Sequence, residues 1–303
     1  MRSPTIPFTP LACRWRGLSV VIALSLAAAA PVQAQDAAAL QARHAALRQV
    51  LERNAYGRPL LLESSERADS LQGDIHARIE WPFAAVGAAL QGTGHWCEVL
   101  MLHLNTQACR AIDSQAGESL ELVIGQKHNQ PQDQAYRVEF AYKLVASRPD
   151  YMRVLLAADA GPLGTKDYRI VLEVAALDAR SSFVHLSYAY GQGVMARVAL
   201  QGYLATLGRN KVGFSVVGRQ ADGQPQFIGG TRGLIERNTM RYYLAVEAYL
   251  GALSSPPALR FEKRLADWHA GIERYHVQLH ELELGEYLSL KRRQAGQPLA
   301  LRR

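Results

Sequence analysis

"DYMRVLLAADAGPLGTKDYRIVLEVAALDARSSFVHLSYAYG", residues 150–191, contains three apolar runs that alternate with period two, parted by the turn signals GPLGT and LDARS. Links this short join antiparallel neighbours, because a parallel pair needs a crossover of a dozen residues or more. The same pattern extends upstream through SLELVIGQK, which starts at Ser119, and AYRVEFAYKLVAS, which ends at Ser147. In the second of these, Tyr136, Val138, Phe140, Tyr142 and Leu144 share one face, while Arg137, Glu139, Ala141 and Lys143 share the other. One apolar and one wet face predict a curved antiparallel sheet covered on one side only.

Helical periods flank the strand run. DAAALQARHAALRQVLERN places Leu40, Leu47 and Leu51 near one face, and Gly57 and Pro59 stop it, so a helix is expected over 35–56. PLLLESSERADSLQGDIHARIEW reads as a strand or hairpin, and Pro82 then opens a short helix at FAAVGAALQG. Downstream, VMARVALQGYLATLG (194–208) is helical, with Val194, Val198, Tyr203 and Leu204 as its apolar residues. KVGFSVVG and QPQFIGG form one more hairpin. GGTRGLIERNTMRYYLAVEAYL (229–250) is a helix of more than five turns, ended by SSPP. From Ala258 to Gln294 a stripe of Phe261, Leu265, Trp268, Ile272, Tyr275, Leu279 and Leu282 predicts another long helix that must lie on the protein body or on a partner. The expected organisation is one α+β domain over 57–255, a helical extension over 256–294 and a tail over 295–303.

The first residues follow the pattern of a signal peptide. Arg2, Arg14 and Arg16 precede the apolar run Leu18 to Ala30, which is too short to span a bilayer, and Val32 and Ala34 fit a signal-peptidase site. Cleavage after Ala34 and a periplasmic mature protein are expected. Cys97 and Cys109 are then the only thiols, and in an oxidising compartment this pair reads as a disulfide. The 34 bases against 27 acids are scattered, with no basic run interleaved with aromatics, so nucleic acid is not an expected partner.

In element order the chain resembles the START-like (helix-grip) superfamily, which includes lipid-transfer domains and polyketide cyclases. The resemblance runs from GDIHARIEWPFAAVGAAL, similar to the first strand entering the first helix, to GGTRGLIERNTMRYYLAVEAYL, similar to the closing helix. The helix over 194–208 and the helical stretch after 257 are additional to that order. The resemblance implies a curved sheet around a long helix, with an apolar cavity between them for a lipid or other hydrophobic small molecule. Most members bind and carry; some catalyse.

Several residues are candidates for the site. On the long helix, Arg237 and Arg241 lie four apart and repel unless an anion stands between them. With Tyr242 they could hold a ligand headgroup, or they could anchor the helix through an internal ion pair, and Glu236 lies on the border of the same face. His185 and Tyr188 fall on opposite faces of one strand, and one of the two sets faces inward. His269, Glu273, His276 and His280 follow at helical spacing, but Val277 stands where the familiar zinc-protease pattern needs Glu, so a solvated helix face is expected and no metal. GFSVVG has GxSxxG spacing and is no nucleophile elbow. No cofactor motif is present.

The expected function is a periplasmic binding or carrier protein for a hydrophobic small molecule, with no catalytic residue assigned. The alternatives are a cyclase or hydrolase on the same fold, which needs His185, Tyr188, Glu236 or Arg241 to converge, and an envelope scaffold docking on a membrane or envelope protein through the C-terminal stripe.

Overall fold

Each alternating run becomes a strand, and the helical periods fall before, between and after them. The computed structural model describes residues 32–115, 117–125, 130–206 and 208–297. Helix α1 (Val32–Glu52) precedes the hairpin β1 (Leu60–Glu66) and β2 (Ser70–Ile79), followed by the short helices α2 (Phe83–Leu90) and α3 (Thr93–Leu100). Strands β3 (Thr106–Ser114), β4 (Gly117–Ile124), β5 (Tyr136–Ser147), β6 (Tyr151–Ala160), β7 (Thr165–Ala176) and β8 (Ser182–Gln192) come next. Then follow α4 (Val194–Ala205), the hairpin β9 (Val216–Arg219) and β10 (Pro225–Phe227), and α5 (Gly230–Ala252). The chain ends with α6 (Arg260–Glu273), α7 (His276–Leu279) and α8 (Leu284–Ala295). Residues 1–31 of the expected leader (1–34) and residues 298–303 of the expected tail (295–303) lie outside the described residues. No helix among the described residues is long and apolar enough to cross a membrane.

Eight strands form one antiparallel sheet in the order β1-β2-β8-β7-β6-β5-β4-β3. The meander from β3 to β8 is closed by β2, which pairs with β8 in an unbroken register from Ser70↔Gly191 to Ile79↔Ser182. One face of the sheet receives α5. Leu71, Ile75, Leu172, Leu186 and Tyr188 pack there with Ile235, Met240, Val246 and Tyr249 of the helix in a single core. The fit depends on Gly73: a Cβ at that position would stand 2.2 Å from Thr239 Oγ1, so only a residue without a side chain lets α5 seat this close to β2.

Helix α5 is buried on more than one side. The expected stripe of Ile235, Tyr242, Val246, Tyr249 and Leu253 meets the core, and Met240, Tyr243 and Leu250 on the neighbouring face are buried as well. The second cover is α6, whose Trp268 donates its indole N–H to the Arg241 carbonyl at 3.2 Å. Leu265, Trp268, Ile272 and Leu279 are buried in the same core as the sheet and α5. The C-terminal stripe thus packs on the chain's own core, with Phe261, Tyr275 and Leu282 only partly buried against it.

Other expectations are corrected. The sheet is covered on both faces where α1 crosses it: Ala37, Leu40, Leu47 and Leu51 pack on Tyr151, Ala175 and Phe183 of the outer face. Leu144 keeps the inner phase of β5, paired with Val154, but is 36% exposed, and the register shift after it turns Ala146 to the outer face. Strand β3 and helix α3 are additional to the elements expected from the sequence. The helix expected from 258 to 294 is broken into α6, α7 and α8 at Tyr275 (φ −117°, ψ 49°) and His280 (φ −58°, ψ 131°). In α4, Val194 and Val198 are 75% and 59% exposed, so their apolar surface faces out. Helix α1 ends at Glu52, four residues before the expected boundary, where the Asn54 amide donates to the Val50 and Leu51 carbonyls.

Candidate functional site

The inner face of the sheet carries a line of aromatic rings that reaches α5. Phe140 of β5 meets Tyr168 of β7 edge-on at 6.1 Å, and Tyr168 stacks on Tyr190 of β8 at 5.2 Å. Tyr190 lies 5.7 Å from Tyr188, and Tyr188 meets Tyr242 of α5 edge to face at 5.0 Å. Tyr242 in turn stacks on His103 at 5.1 Å. The period of two along β8 places Tyr188 and Tyr190 on this face, and Tyr242 comes down on them from the helix. Tyr242 and Tyr168 are only partly covered, although most of their neighbours are buried.

The backbone of His103 is held from behind by α8. The Tyr287 hydroxyl donates to the Leu102 carbonyl at 2.9 Å, and Lys291 Nζ donates to the His103 and Thr106 carbonyls at 2.7 and 2.8 Å. Burial pulls the Lys291 ammonium down to about 7. Burial, with the charges of Arg241 and Lys291 adding to it, lowers the His103 imidazole to about 3. His103 is therefore neutral. Its Nδ1 accepts from the Asn105 N–H at 3.2 Å, which leaves the ring proton on Nε2. The Asn238 side chain is the polar neighbour of this buried ring, at a geometry short of a full hydrogen bond to Nε2.

The phenols are neutral too. Burial, then the neighbouring Tyr242, raises Tyr188 well above the ordinary range, and burial likewise raises Tyr190 and Tyr242. Neutral phenols in an apolar setting stack and donate hydrogen bonds; they do not serve as bases at neutral pH. Tyr168 already pairs with Thr165 Oγ1 at 2.7 Å. What the arrangement forms is a run of stacked, neutral rings in the core, partly exposed only at Tyr168 and Tyr242.

Of the residues singled out in the sequence, Tyr188 and Tyr242 meet here. Arg241 lies beside them but is engaged: it binds Glu281 Oε1 at 2.6 Å, and Lys211 binds the same oxygen at 3.0 Å. The geometry is thus that of the internal ion pair, anchoring α5 to the segment between α7 and α8. Burial would raise Glu281, but the charges of Arg241 and Lys211 hold it below its ordinary value. Arg237 is buried and donates to the Val212 carbonyl at 3.2 Å. Glu236 is fully buried and accepts from Phe214 N at 2.6 Å, Ser215 N at 2.9 Å, Ser215 Oγ at 2.7 Å and Ser64 Oγ at 2.6 Å. It ties α5 to β1 and to the segment leading into β9. The charges that interrupt the apolar residues of α5 are thus each consumed by anchoring.

His185 is on the other face of the sheet, under α1. Its two ring nitrogens contact Asp74 Oδ1 at 2.9 Å and Glu173 Oε2 at 2.8 Å, and its ring stacks on His76 at 4.5 Å. Burial lowers its pKa, but the hydrogen bonds and charges of Asp74 and Glu173 outweigh it and bring the imidazole up to about 9. An imidazolium with both N–H groups engaged has no lone pair to act as a base. Sequence reasoning missed His103, whose role comes from the clamp that α8 puts on its backbone; no periodicity marks it. The expected disulfide between Cys97 and Cys109 is present, joining α3 to β3.

No family model matches the chain, and no curated protein matches it. Among solved structures, the chain is similar to norcoclaurine synthase from Thalictrum flavum (12% identity over 49% of this chain and 81% of that one, TM-score 0.32). It is also similar to a START superfamily protein from Mycobacterium smegmatis (10% identity, 47% and 93%, TM-score 0.31). A third similar structure is an aromatase/cyclase from Streptomyces sp. R1128 (10% identity, 60% and 92%, TM-score 0.34). Likenesses of this size transfer no activity. The chain has two short helices after the first long core strand, an antiparallel meander closed by that strand and a long helix packed against the sheet, which is the element order expected from its resemblance to the helix-grip fold.

Proposed function

We propose that the protein binds and carries a hydrophobic small molecule, a lipid or a compound of similar character, in the periplasm. The observation that carries this reading is the aromatic line from Tyr168 to Tyr242, ending at the buried, neutral His103 imidazole. An apolar surface with a few convergent polar groups is the ordinary composition of a small-molecule site. The leader pattern of residues 1–34 and the disulfide support the compartment, since such bonds persist in oxidising surroundings. The enzyme alternative required His185, Tyr188, Glu236 or Arg241 to converge. His185 lies across the sheet from Tyr188, and Glu236 and Arg241 are saturated by Ser64, Phe214 and Ser215 and by Glu281, so that convergence does not support it.

The test is a titration of the mature protein with the apolar fluorophore N-phenyl-1-naphthylamine. Saturable enhancement at one site, weakened in both Tyr188→Leu and Tyr242→Leu, is the expected result. Both substitutions keep apolar volume while removing the ring and its hydroxyl. Enhancement that does not saturate, or that is the same in wild type and both variants, would contradict the reading.

A further inference from the structure

The break between α6 and α8 gathers side chains that a continuous helix would keep apart. On an unbroken helix Glu273 and His280 would stand about 10.5 Å apart along the axis. Here the turn at Tyr275 brings Glu273 Oε1 to 2.8 Å from His280 Nδ1, while Glu273 Oε2 lies 2.8 Å from His276 Nδ1. One ligand atom from each of the three residues falls within 4.8 Å of the others, and the two imidazole rings stand 4.3 Å apart.

The corner is fixed from several sides. Tyr275 packs against Phe214 at 5.4 Å and Tyr56 at 6.4 Å. Leu279 is buried, its carbonyl accepts from Arg241 at 3.4 Å, and His269 Nε2 contacts the Leu282 carbonyl at 2.9 Å. The His276 side chain remains 64% exposed, with Glu273 and His280 at 30% and 27%, so the cluster opens to solvent and is supported from beneath.

We propose that Glu273, His276 and His280 form a site for a divalent transition-metal ion of the zinc class, with solvent filling the remaining position. Two imidazoles and one carboxylate suit zinc and its first-row neighbours and do not suit calcium or magnesium, which take oxygen ligands. The ion binds the Nδ1 atoms that now face Glu273. In neutral His280 the ring proton then moves from Nδ1 to Nε2, where Glu283 Oε1 stands 3.8 Å away. A carboxylate behind a metal-bound imidazole orients the ring and raises its basicity.

The experiment uses the untagged mature protein, stripped with EDTA and dialysed, titrated with zinc chloride by calorimetry and by competition with a chromophoric chelator. One saturable equivalent is expected, with a raised Tm, and magnesium at the same concentration should leave Tm unchanged. His276→Ala, at the most exposed ligand, and Glu273→Gln should each abolish that equivalent, and Glu283→Gln should weaken it about tenfold. A second measure is the visible spectrum with cobalt(II), which should show ligand-field bands in wild type and lose them in His276→Ala. Absence of saturable zinc binding, or binding unchanged in both His276→Ala and Glu273→Gln, would overturn the proposal.

Discussion

Tyr188 of β8 and Tyr242 of α5 meet edge to face at 5.0 Å, and this contact joins the inner face of the sheet to the helix it grips. Two residues 54 positions apart in sequence thus share one surface. On one side of them runs the line of Tyr190, Tyr168 and Phe140, and on the other stands neutral His103. The charged residues of the same helix are turned to anchoring, which leaves the phenols and the imidazole as the polar elements of the surface.

Arg241→Ala is expected to lower stability without acting on the ligand surface directly. Arg241 is 5% exposed and paired with Glu281, and removing one partner of a buried pair strands the other. The expected cost is about 2–3 kcal/mol, below the usual range because Glu281 keeps Lys211 and some solvent. Urea unfolding measures it. A variant of wild-type stability with lost probe binding would show that Arg241 serves the ligand and not the fold.

Gly73→Ala is expected to destabilise by about 1–3 kcal/mol, since the new methyl meets Thr239 Oγ1 at 2.2 Å and α5 must move off β2. Thr239→Ala in the same chain removes that oxygen and should restore part of the loss. Strict additivity of the two substitutions would contradict the contact.

His185 gives the fold a pH dependence of defined sign. Its folded pKa of about 9 lies above the 6.5 of the free side chain. Its contribution is therefore complete below pH 6.5 and is lost as pH rises from 6.5 through 9, by up to roughly 3 kcal/mol. The measurement is the difference in unfolding free energy between wild type and His185→Gln across that window. The difference isolates His185, because Lys291, pulled down to about 7, contributes the opposite slope above that pH. A difference that does not change with pH would refute the assignment of His185 as the imidazolium between Asp74 and Glu173.

Cys97→Ser should lower Tm under oxidising conditions by the equivalent of about 3 kcal/mol, given a sequence separation of 12, and should match reduced wild type. Equal melting of oxidised wild type and variant would argue against the bond.

Most of the sheet was legible because β5 to β8 alternate over ten residues or more between turn signals, and the length of α5 marked the gripped helix. Strand β3 was not, because TQACRAIDS lies at the edge of the sheet and half of it is exposed, so no apolar alternation builds up. Helix α3 has too few turns to show a period. The stripe from Phe261 to Leu282 keeps its spacing of four and three straight across Tyr275, so nothing local marks the break; the packing of Tyr275 on Phe214 and Tyr56 belongs to the tertiary structure. In the site, Tyr188 and Tyr242 could be named from the sequence, but the phase of β8 could not be. Which of His185 and Tyr188 faces inward is decided by α1 covering the outer face.

The most direct measurement of the central claim is native mass spectrometry of the untagged protein purified from its native host, with organic extraction of whatever it carries. The account predicts a stoichiometric apolar molecule on wild type, reduced in Tyr188→Leu and Tyr242→Leu. A wild-type mass equal to the bare mature polypeptide under gentle ionisation, with nothing apolar recovered in the extract, would contradict it.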